Sequence, residues 1–256
     1  MIGAIAGDII GSIYERHNIR RTNFPLFDPM CHFTDDTVLT IAIAESILNR
    51  GDYVNNLKKY YSYYPEAGYG PLFRKWAAHK HGKPYSSCGN GSAMRVSPVG
   101  FAFDTLEEVL LEAEKSAAVT HNHPEGIKGA KATASAVFLS RTGHSKKEIK
   151  EYIECTFKYN LNQSFEKLRK HYTRSTTCQG SVPQAINVFL ESENYEDAVR
   201  KAISIGGDSD TIACITGGIA QAFYKDVPDY IEEKVFEILD DRLKQVVYEF
   251  TVKYSC

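Results

Sequence analysis

Two acidic clusters stand at the mouths of apolar runs: Thr34-Asp35-Asp36-Thr37 near the start of the chain and Gly206-Gly207-Asp208-Ser209-Asp210-Thr211 near its end. Their carboxylates and hydroxyls are hard oxygen donors, the ligand set that Mg²⁺, Mn²⁺ or Ca²⁺ prefers. Either cluster alone reads as a helix cap, because Thr and Asp at a helix start satisfy amides that lack intrahelical partners. The residues that follow weaken that reading. Ile41 to Ala44 come after the first cluster, and Ile212, Ala213 and Ile215 after the second, so both helices head into a core. Carboxylates carried there need a cation or a proton, since a buried charge without a partner is strongly unfavourable. No neighbouring run of Lys or Arg offers that charge. The expectation is a metal site assembled from both ends of the chain.

Three other stretches carry potential chemistry. In Gly7-Asp8-Ile9-Ile10-Gly11-Ser12-Ile13-Tyr14-Glu15, the two acids lie seven residues apart. If this is one helix, they share a face two turns apart. Gly89-Asn90-Gly91-Ser92-Ala93-Met94-Arg95 has glycines that would let backbone amides approach a phosphate, as in other glycine-rich loops. It lacks the Gly-Lys-Ser/Thr of a Walker loop. Thr120-His121-Asn122-His123-Pro124 carries two histidines in a turn-like setting, and His123 receives no role.

These residues must be positioned by helices. Apolar residues recur with helical period through most of the chain, and no alternating run is long enough for a strand, so the expected fold is all-α. The spacing predicts helices over 37–49, 106–120, 125–141, 146–158, 164–171, 182–191, 195–205, 211–223 and 228–252. Gly51 is expected to end the first of these. The run from Thr211 to Phe223 is apolar almost all round and should be a central helix, with Gly217 and Gly218 marking close packing or a bend. The tyrosine-rich stretch from Tyr60 to Gly91 has weak periodicity and reads as a long ordered loop.

Composition excludes several classes. The chain has 256 residues, of which 43% are hydrophobic and 24% charged, values of an ordinary globular protein able to bury a full core. One domain spanning 1–256 is expected, with no linker or repeat. A net charge of −2 gives no footprint for non-specific nucleic-acid binding. Cys31, Cys88, Cys155, Cys178, Cys214 and Cys256 form no C-x-x-C pair and read as reduced, structural thiols. The apolar opening lacks a basic n-region, and no stretch approaches a membrane span, so a cytoplasmic protein without a membrane partner is expected.

Together these motifs, in this order from Gly3 to Phe223, resemble the ADP-ribosylglycohydrolase family, which includes the dinitrogenase reductase-activating glycohydrolase and the ADP-ribosyl-acceptor hydrolases. The resemblance implies a compact orthogonal helical bundle with two Mg²⁺ or Mn²⁺ ions at the bottom of a cleft that binds ADP-ribose. It implies that Thr34, Asp35, Asp36 and Asp210 hold one ion and Asp208, Asp210 and Thr211 the other, with Asp210 bridging. Glu15, Asp35 and Asp36 would be catalytic. Ser87, Gly89, Asn90, Gly91, Ser92 and His121 would contact the substrate. The activity implied is hydrolysis of the glycosidic bond between ADP-ribose and an acceptor, by a chain expected to act as a monomer. A non-catalytic ADP-ribose-binding or structural relative is the alternative, disfavoured because every implied ligand is intact. A dinuclear phosphohydrolase is a third class.

Overall fold

The structure, a computed structural model, describes residues 1–254. Among these the chain forms helices and no strand; one isolated bridge links Gly89 to Thr177. The order is α1 (Ile2–Gly11), a 3₁₀ turn (Ser12–Tyr14), α2 (Asp35–Leu48), α3 (Tyr53–Tyr63), α4 (Pro71–Ala78), α5 (Gly91–Met94), α6 (Ser97–Ala102) and α7 (Leu106–Ala118). Then follow α8 (Pro124–Arg141), α9 (Lys146–Phe157), α10 (Phe165–His171), α11 (Cys178–Leu190), α12 (Tyr195–Ser204), α13 (Ser209–Tyr224), α14 (Asp229–Ile238) and α15 (Asp241–Tyr254). The fold is all-α, as the periodicity predicts.

α13 is the central helix, buried without a break from Ser209 to Ala222. α1, α8, α11 and α12 pack around it. Its closest neighbour is α1, and glycines set that approach. A Cβ on Gly3 would lie 2.6 Å from the carbonyl of Gly217, one on Gly7 would lie 2.1 Å from that of Ala213, and one on Gly11 would lie 2.6 Å from Asp210 Cα. The two helices therefore run antiparallel with backbones in contact. Gly217 serves close packing, because a Cβ there would come within 2.2 Å of the Gly3 carbonyl. This pairing brings the C-terminal turn of α1, carrying Asp8, against the N-terminal turn of α13, carrying Asp210.

Local signals explain most element ends. Thr34 caps α2 by accepting from the Asp36 amide at 3.3 Å, and α7 and α9 start with reciprocal Thr105/Glu108 and Ser145/Glu148 capping boxes. The end of α2 differs from expectation. Arg50 takes the left-handed conformation (φ 51°), and Gly51 sits one residue later, donating to the Ser46 carbonyl at 2.8 Å. This is a Schellman closure with arginine in glycine's usual place.

Three further boundaries are corrected. The Tyr60–Gly91 stretch is not one loop: it contains the end of α3 and all of α4, which starts with Pro71 in its first turn. Its tyrosines pack on each other, with Tyr60 and Tyr69 buried, Tyr61 edge-on to Tyr69 at 5.1 Å, and Tyr69 stacked on Phe73 at 5.2 Å. The 228–252 stretch breaks at Leu239–Asp240, where Asp240 accepts from the Leu243 amide at 3.0 Å and so starts a second helix. α11 begins a full turn before Pro183. Five cysteines are free thiols; Cys256 lies outside the described residues. No helix among the described residues is long and apolar enough to cross a membrane.

Candidate functional site

The carboxylates meet where α1, α2 and α13 converge. Oxygens of Asp8, Asp36 and Asp210 lie within 4.8 Å of one another, and so do oxygens of Glu15, Asp208 and Asp210. Asp210 is common to both groups. Asp8, Asp36, Asp208 and Asp210 are all buried, and Asp35 lies half-buried beside them.

Each position has a local cause. Asp8 reaches 26 residues along the chain, where Oδ2 accepts the Thr34 amide at 2.9 Å and Oδ1 accepts the Thr34 hydroxyl at 2.6 Å. Oδ2 also accepts the Thr37 amide at 3.1 Å and the Thr37 hydroxyl. Asp8 thus satisfies first-turn amides of α2 from another helix, with three donors on Oδ2 and one on Oδ1. The hydroxyl proton of Thr34 is drawn to Asp8, leaving a lone pair of Oγ1 for another partner. Asp208 is delivered by two successive left-handed glycines, Gly206 (φ 68°) and Gly207 (φ 84°). Asn18 clamps that turn, accepting from the Gly207 amide at 2.7 Å and donating to its carbonyl at 3.0 Å. Asn90 Nδ2 donates to Asp208 Oδ2 at 2.7 Å, and the Thr211 hydroxyl donates to Asp36 Oδ2 at 3.3 Å.

Electrostatically the cluster is out of balance. Burial raises all five aspartates above the usual carboxylate range, and mutual repulsion adds to it for Asp35, Asp36 and Asp210; Asp35 is pushed up to about 8. Asp36 Oδ1 is buried with no hydrogen-bond partner. Closely spaced, oxygen-only donors with an unsatisfied buried carboxylate oxygen fit a divalent cation.

One protein cation does reach the site, which the sequence reading did not foresee. Arg174 Nη2 pairs with Glu15 and with Asp208 Oδ1, the latter at 3.2 Å. It comes from the segment between α10 and α11, far from any acidic motif. Glu15 also differs from expectation. α1 ends at Gly11 and tightens into the 3₁₀ turn, so Glu15 does not share a helical face with Asp8. It belongs to the Asp208/Asp210 group, while Asp8 belongs to the Asp36/Asp210 group.

Above the cluster opens a cleft of about 880 Å³, within the range of ligand sites. Its walls include Glu15, Thr34, Asp35, Asp36, Ser87, Gly89, Asn90, Gly91, His121, Asp208, Asp210 and Thr211. Ser92 is not among them: its hydroxyl is buried and donates to the Gly126 carbonyl at 2.8 Å. The short helix α5 turns this side chain away from the cleft. The amides expected to cradle a phosphate are partly engaged, since Gly89 donates to Ser87 Oγ at 3.0 Å and Asn90 to the Thr176 carbonyl at 2.9 Å. Tyr85, unforeseen from sequence, lines the wall with its ring 5.8 Å from that of His121. Gly68, in the left-handed region at φ 102°, lets the segment before α4 approach Asp35, where a Cβ would lie 3.3 Å from Oδ1. His123 caps α8, accepting from the Glu125 amide at 3.1 Å.

The sequence and the fold have known counterparts. The chain is similar to ADP-ribosylhydrolase ARH3 of Homo sapiens, 27% identical over 88% of this chain and 84% of that protein. It is also similar to ADP-ribosylarginine hydrolase Tri1 of Pseudomonas putida (strain GB-1), 22% identical over 97% of this chain and 76% of that protein. A solved structure, an ADP-ribosylglycohydrolase-related protein complex, superposes with a TM-score of 0.75 at 22% identity, covering 97% of this chain and 93% of its own, which speaks to the fold. The sequence model of the ADP-ribosylglycohydrolase family matches residues 1–253, and the chain belongs to that family.

Proposed function

We propose that this chain is a metal-dependent hydrolase that cleaves the glycosidic bond between ADP-ribose and an acceptor, a protein side chain or a related conjugate, and so reverses ADP-ribosylation. The observation that carries the reading is the buried, charge-deficient carboxylate cluster around Asp210 at the foot of the cleft. Thr34, Asp35, Asp36 and Asp210 would hold one Mg²⁺ or Mn²⁺ ion, and Asp208, Asp210 and Thr211 a second. Ions bound there supply Lewis-acid polarisation of sugar oxygens and a water of lowered pKa.

The chain's own residues do the rest. Asp35 or Asp36 orients the attacking water toward the anomeric carbon and accepts one of its protons, the other staying on the new hydroxyl. Developing positive charge on the sugar ring is stabilised by the carboxylate-rich floor. Glu15, held by Arg174 in the resting site, protonates the leaving group or gates the floor. The Ser87–Gly91 wall and His121 take the diphosphate and adjoining ribose. Asn90 acts through Asp208, which its amide fixes. The buried side chain of Ser92 supports the wall from behind.

The test is release of ADP-ribose from arginine-, serine- and nucleobase-linked substrates, with Mg²⁺ or Mn²⁺ and with chelator. Metal-dependent release from one linkage supports the proposal and names the acceptor. Binding of ADP-ribose without release from any would make the chain a reader, and release of phosphate instead would make it a phosphohydrolase.

A further inference from the structure

Arg95, directly after α5, is fully buried and makes no ion pair among the described residues. Nη2 donates to the Ser116 carbonyl at 2.9 Å and to Thr120 Oγ1 at 2.8 Å, while Nε and Nη1 are buried without a partner. A guanidinium has donors only, so the Thr120 hydroxyl must accept there and give its proton elsewhere. The Nδ1 atom of His121 lies 2.7 Å from that hydroxyl. Burial, then the Arg95 charge, push protonation of His121 well below the ordinary histidine range. The imidazole is therefore neutral, and the nearby cation favours a lone pair over an N–H at Nδ1.

On the opposite side of the ring, Nε2 faces the glycine wall of the cleft. A Cβ on Gly91 would lie 3.2 Å from it, and one on Gly89 3.5 Å. Glycine at both places leaves that nitrogen uncovered.

We infer that Arg95 and Thr120 are positioning residues that fix His121 as the Nε2–H tautomer, a neutral hydrogen-bond donor aimed into the cleft at an anionic oxygen of the substrate. That this oxygen belongs to the diphosphate rests on the ADP-ribose reading; the tautomer does not.

The test is ¹⁵N NMR of the histidine rings in the full-length, Mg²⁺-loaded protein at neutral pH, with His121 assigned by loss of its signals in His121→Gln. The wild type should show an unprotonated Nδ1 and a protonated Nε2. Thr120→Val should mix the tautomers and weaken binding of free ADP-ribose roughly tenfold, the scale of one hydrogen bond to a charged group. Thr120→Ser should restore both. A proton on Nδ1 or an imidazolium in the wild type overturns the inference, as does Thr120→Val with wild-type tautomer and affinity. If Thr120→Val does not fold, the wild-type spectrum still decides. The expected tautomer in a protein that does not bind ADP-ribose would uphold the relay and overturn the ADP-ribose reading.

Discussion

The carboxylate of Asp8 holds both the amide and the hydroxyl of Thr34, at 2.9 and 2.6 Å. Through this pair α1 fixes the first turn of α2, and with it the direction of Asp35 and Asp36. Asp8→Asn keeps the shape but replaces an acceptor oxygen with a donor facing Thr34 and Thr37. Metal affinity, read by titration calorimetry, should fall by about 10- to 100-fold, the usual effect of losing a group that orients a ligand. Unchanged affinity would separate Asp8 from the metal site.

The ion pair of Arg174 with Glu15 and Asp208 places a protein cation on the carboxylates of one acidic group, and no Lys or Arg is paired with the other among the described residues. Metal at the Glu15/Asp208/Asp210 group must displace it. Arg174→Gln should therefore tighten binding of the weaker ion by up to roughly fivefold, the scale of a half-exposed pair. Weaker binding in this variant would show that Arg174 assists the ion instead.

Without metal, stability should fall as pH rises. Asp35 is raised from 3.8 to about 8 on folding, with Asp36, Asp208 and Asp210 raised in the same direction. Groups that bind protons more tightly in the folded state contribute stability that is present below the unfolded pKa and lost as pH rises through the folded one. The melting temperature of chelator-treated protein should drop between about pH 4 and about pH 8, and Mg²⁺ should restore it at the upper end. A chelated protein equally stable across this window would contradict the charge imbalance.

Backbone contact between α1 and α13 makes Gly7 intolerant of a side chain, since a Cβ would lie 2.1 Å from the Ala213 carbonyl. Gly7→Ala should cost about 1–3 kcal/mol or more in urea unfolding. Gly51→Ala, whose nearest neighbours stand at 3.9 Å, should stay within about 0.5 kcal/mol. Equal effects at the two sites would refute the packing argument.

What the sequence made legible follows from local signals. Thr34 before two aspartates, and an unbroken apolar run after Asp210, are contiguous patterns, so both ends of the acidic floor could be read directly. Asp8 could not be placed, because its partner lies 26 residues away and the helix tightens before Glu15. Arg174 is an isolated cation between helices, and only the tertiary fold brings it to Glu15. Ser92 shares a motif with Gly91 yet its side chain is turned from the cleft, because successive residues of a helical turn project about 100° apart. α4 was hidden in a tyrosine-rich segment only eight helical residues long, too short for periodicity to rise above its surroundings.

Asp210 is the carboxylate shared by both acidic groups. The decisive measurement is the rate of ADP-ribose release from the preferred linkage by wild type and Asp210→Ala, each with Mg²⁺ or Mn²⁺ and with chelator. The account predicts release by the wild type only with metal, and none from a folded Asp210→Ala. Release that survives both chelation and this substitution would contradict it.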